Sequence, residues 1–336
     1  MRQGLRAGIS EKWISTLSEI QSAVSDDLER IAAHIDRLLD SGFQPIDEVF
    51  VHLFSKTGKM IRPTLLLLAV DREKADPQGL VSMGAAIELI HTASLVHDDS
   101  IDSSNFRRGV ETLNSKWNHK TSVIIGDYLL AQAFSEITRL NSNEIFIELT
   151  SACRCLAEGE MRQMAMEGDL EATEEDYFAY IQEKTASLFA ATCSVASILS
   201  GDRERANLKE FGLLFGSIFQ ITDDLLDYIG FSSDTGKPTG LDLLERKMTL
   251  PLIYALSRMD EAGRDQFRRA FSDQNGIGRE QAVRLSSMVI EAGGIDYSWS
   301  RVTELARRAS DALDSLDSAR TEKLKKLVDV IVERDR

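Results

Sequence analysis

Two acidic runs of one form carry the side chains best placed to do chemistry, Asp98-Asp99-Ser100-Ile101-Asp102 and Asp223-Asp224-Leu225-Leu226-Asp227. Each interrupts an apolar stretch with helical spacing, Ala85 to Val96 before the first and Phe211 to Ile221 before the second. At 3.6 residues per turn, residues four apart share a face, so Asp98 lies over Asp102 and Asp223 over Asp227. Unpaired carboxylates this close repel, and burying them on such helices is costly. Hard divalent cations such as Mg2+, which take oxygen ligands, remove that cost. Two facing clusters that each hold metal are suited to gripping a polyphosphate.

The residues around the clusters extend this pattern. Gln220, Asp223, Asp224 and Asp227 form one polar stripe at i, i+3, i+4, i+7, flanked by Phe219, Ile221, Leu225, Leu226 and Ile229. Gly216 and Gly212 continue the stripe and are expected to leave open space. His91 precedes Asp98 near the same face. Arg107-Arg108-Gly109 follows the first cluster, and guanidinium forks match phosphate oxygens. Lys59 and Arg62 stand three apart at a helix start, where free backbone amides also favour anions. Each piece alone has a plainer reading: a solvated acidic face, a basic loop, a capped helix, a core histidine.

The elements that must carry these groups are helical. Few runs alternate like strands, and the five prolines fall at helix starts or in loops. We expect an all-α chain of one large domain over residues 1–336, with an N-terminal helix at 11–41 and a catalytic body from about 46 to 336. Further helices are predicted at Leu80–Asp102, Thr121–Leu140, Ile145–Met166, Thr173–Ser200, Ala206–Ile229, Leu250–Arg258, Gly278–Ala292, Tyr297–Leu316 and Glu322–Arg334. Ser103–Lys120 reads as a loop over the site, and Phe231–Lys247 as a lid.

The net charge of -15 excludes nucleic acid as a partner, because phosphate-backbone binding needs a basic surface. An anionic substrate then requires metals and local cations to reverse the field. Lys56, Lys59, Arg62, Arg107, Arg108, Lys237, Arg246 and Lys247 are grouped for that. Cys153, Cys155 and Cys193 suit a reducing compartment rather than a disulfide framework. Residues 1–10 lack a signal-peptide core, and the longest apolar run, Leu65 to Val70, is too short to span a bilayer. A soluble, cytoplasmic protein is expected, with no integral membrane segment.

Taken together, the motifs resemble the trans-isoprenyl diphosphate synthases, the polyprenyl synthetase family. The matching stretches run in order: Gly58–Pro63, Glu88–Asp102, Arg107–Gly109, Gly126–Phe134, Gly159–Gln163, Glu183–Ala186, Phe219–Asp227 and Gly236–Leu243. The resemblance implies the isoprenoid-synthase helical bundle with a central active-site cavity. It also implies head-to-tail 1'-4 trans condensation of isopentenyl diphosphate onto an allylic diphosphate, and three Mg2+ ions. Lys59, Arg62, His91 and Arg108 would bind isopentenyl diphosphate. Arg107, Lys184, Thr185, Gln220, Lys237 and Lys247 would hold the allylic diphosphate. Asp98 and Asp102 would ligate two ions and Asp223 a third, with Asp227 counted beside them and Asp99 and Asp224 in support. The catalytic set is thus Asp98, Asp99, Asp102, Arg107, Lys184, Asp223, Asp224, Asp227 and Lys247. Two departures stand out: Arg246 replaces a frequent glycine, and Ser103-Ser104 replaces an acidic residue.

In this family, bulky residues just before the first cluster stop elongation. Ala93 and Ser94 are small, so both are expected to line an open tunnel. That favours a long product, octaprenyl to decaprenyl, for a quinone side chain. The alternative places the floor elsewhere, at Phe134 or Phe146. Rival readings are a geranylgeranyl diphosphate synthase, a terpene cyclase and a non-catalytic subunit. A cyclase would lack the Lys59/Arg62/His91 set, and a silent subunit would lose an acidic run. A homodimer is expected, with transient membrane contact possible at product release.

Overall fold

The computed structural model describes residues 13–333 apart from 14, 56–57, 108, 203–204, 230–239 and 274–275. The chain begins with α1 (15–22), α2 (Ser25–Leu38), α3 (Gln44–Leu53), α4 (Ile61–Ala69) and α5 (Pro77–Ile101). A two-stranded hairpin follows, β1 (Phe106–Arg107) and β2 (Val110–Glu111), then α6 (Leu113–Lys116), α7 (His119–Thr138) and α8 (Asn143–Met166). Next come α9 (Glu174–Ile181), a π turn (Gln182–Ala186), α10 (Ser187–Ser200) and α11 (Arg205–Ile229). The remainder is α12 (Leu241–Leu244), α13 (Leu250–Arg258), α14 (Glu261–Ser272), α15 (Arg279–Glu291), α16 (Gly294–Ala312) and α17 (Ser318–Val332).

The sequence sets the helix starts locally. Asp76 accepts from Gly79 N at 2.6 Å and Pro77 occupies the first turn of α5. Asn118 caps α7 through Thr121 N at 2.9 Å. Thr173 and Asp176 form a capping box at α9. The two longest helices, α5 and α11, then pack into the centre. α5 lies along α7 and also meets α2 and α4, while α11 lies along α10 and α16. Among the described residues α5 is the one helix long and apolar enough to cross a membrane, and 78% of its most apolar stretch is buried inside the protein.

Several expectations change. The N-terminal helix is two, because the chain turns at residues 23–24. The Ser103–Lys120 segment holds the hairpin and α6 rather than loop alone. α14 was not anticipated. It is strongly charged and buries only Gly263, Phe267, Ala270 and Phe271. Gly212 and Gly216 do not leave open space: a Cβ at Gly212 would come within 2.6 Å of Phe189 O, and one at Gly216 within 2.5 Å of Ala186 Cα. They let α11 close on the π turn and α10 backbone to backbone.

Candidate active site

The C-terminal half of α5 builds the first wall. The helix holds its register to Asp102, whose N–H donates to Asp98 O at 2.8 Å. Asp98 therefore stands over Asp102, with Ser94 and His91 on the turns below, and all four line one cavity. Asp99 is buried and turned aside, accepting from Arg107 Nε of β1 at 2.7 Å. Ser100 Oγ is hydrogen-bonded to His119 Nδ1 at the start of α7, fixing the turn of the acidic run.

α11 supplies the opposite wall. Gln220, Asp223, Asp224 and Asp227 line the same cavity. Asp224 is buried and accepts from Tyr177 OH at 2.6 Å and from Gln220 Nε2 at 2.7 Å. Gln220 Oε1 in turn accepts from Thr185 Oγ1 at 2.7 Å. This chain of bonds fixes which way the Gln220 amide faces. Asp227 is differently used. Its oxygens accept from the backbone amides of Gly240 at 3.0 Å, Leu241 at 3.2 Å and Asp242 at 2.9 Å. The sequence reading set Asp227 beside the metal ligands; it lines the cavity and also anchors the turn into α12.

Lysines stand close to the first wall at two places. The π turn interrupts the helix that α9 and α10 otherwise continue, and such turns bulge the backbone at functional sites. It presents Lys184, which donates to Gln163 Oε1 at 2.8 Å, pairs with Glu160 and sits 3.9 Å from Asp98 Oδ2. Gly159 makes this possible, since a Cβ there would lie 2.2 Å from Lys184 N. Lys247 pairs with Glu245 at 2.6 Å and lies 3.9 Å from Asp102 Oδ2. Arg246, just before it, takes φ +56°, the left-handed region that glycine adopts freely. Its guanidinium donates to Asp273 O at 2.6 Å at the end of α14.

Both walls, Lys184, Lys247, Arg107, Lys59 and Arg62 border a cavity of about 760 Å³. The acidic clusters thus share one space. Burial pushes the Asp98 carboxyl up to about 7, although Lys184 pulls it down. Burial also raises Asp224 to about 7 against the bonds from Tyr177 and Gln220. Asp242 is held well above its usual range by burial and by Asp224 and Asp227. Burial works against the Lys247 charge, but Glu245 and Asp242 outweigh it and its pKa is raised.

Of the sequence-predicted residues, Lys59, Arg62, His91, Asp98, Asp99, Asp102, Arg107, Lys184, Thr185, Gln220, Asp223, Asp224, Asp227 and Lys247 all border the cavity. Arg108 and Lys237 lie outside the described residues. Ser94 lines the cavity, but Ala93 is fully buried in the core and does not. Phe134 and Phe146 pair at 6.5 Å between ring centroids and lie away from this cavity. The sequence reading gave no role to Trp13, Glu160, Gln163, Tyr177 or Asp242. Glu160, Gln163 and Asp242 stood inside recognised motifs and were the available signal. Trp13 and Tyr177 carried none.

Residues 43–285 match the polyprenyl synthetase family. The all-trans-nonaprenyl-diphosphate synthase (geranyl-diphosphate specific) of Rhodobacter capsulatus is 35% identical over 298 residues, covering 88% of this chain and 91% of that protein. The octaprenyl diphosphate synthase of Escherichia coli K12 is 34% identical over 323 residues, covering 95% and 99%. The crystal structure of a polyprenyl synthase from Caulobacter crescentus CB15, complexed with calcium and isoprenyl diphosphate, superposes with a TM-score of 0.88 at 32% identity, covering 94% of this chain and 97% of that one.

Proposed function

The chain belongs to the polyprenyl synthetase family, and from that premise we propose that it condenses isopentenyl diphosphate head-to-tail onto an allylic diphosphate to give a long trans-polyprenyl diphosphate. The observation that carries this reading is the single cavity with an acidic wall on each side and lysines close to the first wall. The similar octaprenyl and nonaprenyl synthases support a long product.

The donor set fits magnesium. It is all carboxylate oxygen, and Asp98 stays hard to ionise until a cation joins it. Among the described residues no three His, Cys, Asp or Glu side chains gather tightly enough to hold a metal alone. That suits an ion bound by one or two carboxylates and completed by substrate phosphate. Calcium and isoprenyl diphosphate occur together in the Caulobacter structure. Asp98 and Asp102 would hold ions at one wall and Asp223 at the other, three in all. Bound magnesium supplies Lewis-acid stabilisation of charge on the departing diphosphate.

This chain's own residues do the rest. Arg107, Lys184 and Lys247 hold the allylic diphosphate and offer fixed donors as the C–O bond breaks and its electrons leave with pyrophosphate. Lys59, Arg62 and His91 place isopentenyl diphosphate so that its double bond attacks the allylic carbon. A proton is then lost to the released pyrophosphate, and no side chain serves as base. Leu95, Leu156 and Phe219 line the apolar part and keep water from the cation. Asp99 orients Arg107, Asp224 orients Gln220, and Asp227 holds the turn toward Lys247.

We read the chain as one domain and as a homodimer. Exposed apolar side chains on α7 and α8, among them Ile124, Ile147 and Met161, support the second point. Incubating the purified protein with magnesium, labelled isopentenyl diphosphate and each short allylic primer should yield products of eight to ten isoprene units. Thorough chelation should abolish turnover. Products that stop at four units would favour a geranylgeranyl synthase, and none at all would refute the proposal.

A further inference from the structure

The family match begins at residue 43, yet one residue lining the cavity, Trp13, comes from before it. Trp13 is only 6% exposed and lines the cavity beside Lys59 and Arg62. Lys59 Nζ lies 3.4 Å from the centroid of the Trp13 ring. The same N-terminal segment also grips the lysine's backbone. Gln21 of α1 donates from Nε2 to Lys59 O at 2.8 Å and to Thr64 Oγ1 at 2.9 Å. Met60 then takes φ +51°, turning the chain sharply from Lys59 into α4. Arg62 is held in a similar way, its guanidinium carbon 4.3 Å from the Phe189 centroid, but Phe189 comes from the core helix α10.

A lysine ammonium on its flexible stem samples many rotamers. An indole face attracts it through the ring quadrupole, more strongly than phenyl does, and aliphatic carbon lacks that attraction. We propose that Trp13 is a positioning residue for the acceptor diphosphate: it holds Lys59 pre-set at the cavity wall before substrate arrives. The inference rests on reading Lys59 as a ligand of isopentenyl diphosphate.

Steady-state kinetics in both substrates of Trp13→Phe and Trp13→Leu test it. Leucine should raise KM for isopentenyl diphosphate by roughly fivefold to thirtyfold, with phenylalanine in between. KM for the allylic substrate and kcat should stay within about twofold. A leucine variant with unchanged KM for isopentenyl diphosphate overturns the inference. So does a parallel rise in both KM values, which marks general loosening. Should the leucine variant not fold, Trp117→Phe with Trp299→Phe leaves Trp13 as the sole tryptophan. Its emission should change as isopentenyl diphosphate or inorganic pyrophosphate is titrated in, and a flat signal overturns the inference. A wild-type chain with no condensation activity would instead refute the proposed function, and the emission titration would still judge Trp13.

Discussion

At the scale of single residues, the cavity is marked by carboxylates that burial makes harder to ionise. Burial lifts Asp98 and Asp224 to about 7, so the metal-free native chain binds these protons more tightly than the unfolded chain does. Stability contributed by that binding is lost as pH rises from about 4 to about 7. The melting temperature of the metal-free protein should therefore rise as pH falls from 8 to 6. Asp98→Asn should flatten that slope, stabilise the chain at pH 8 and abolish turnover; an unchanged slope would contradict the burial argument. Ser94, one turn below Asp98, lines the cavity and is the residue we propose for control of product length. Ser94→Tyr places a ring in the cavity and should shift products toward shorter chains, which chromatography of the mixture would resolve. An unchanged product ladder would show that elongation takes another path. Ala93, packed in the core, is a poorer site for this test, because a ring there must first displace its neighbours.

At the scale of elements, the site depends on close backbone contacts more than on helix positions. Gly159→Ala would drive α8 off the π turn and move Lys184, which should lower kcat/KM by on the order of 100-fold. Near-normal kinetics in that variant would show that the lysine is placed by Glu160 and Gln163 alone. This is also where sequence reading ran out. The Asp98/Asp102 and Asp223/Asp227 pairs were legible because four-residue spacing is a property of one helix. α5, α8 and α11 were legible from sustained apolar periodicity. The π turn was not, since one extra residue inside a helical pattern leaves the composition unchanged. Tyr177 was invisible for a related reason: it looks like an ordinary core aromatic until α9 packs against α11 and its hydroxyl meets Asp224. Gly212 and Gly216 were misread as space because a missing side chain signals equally a gap or a close approach. The frequent glycine at the position of Arg246 was a true clue to its left-handed backbone, which only the structure displays.

At the scale of the molecule, the central pair α5 and α11 is buried by a jacket of helices, of which α7 and α8 keep apolar side chains outward. Ile124→Asp combined with Ile147→Asp should convert a dimer to a monomer by light scattering; a dimer that persists would place the two-fold contact elsewhere. The hydrogen bond between Ser100 and His119 has a bearing on that experiment. His119 opens α7, so the helix that would meet the second subunit also braces the acidic turn of α5. In the proposed dimer, assembly and catalytic competence would be mechanically linked, and diluting the enzyme until its subunits part should cost specific activity along with quaternary structure.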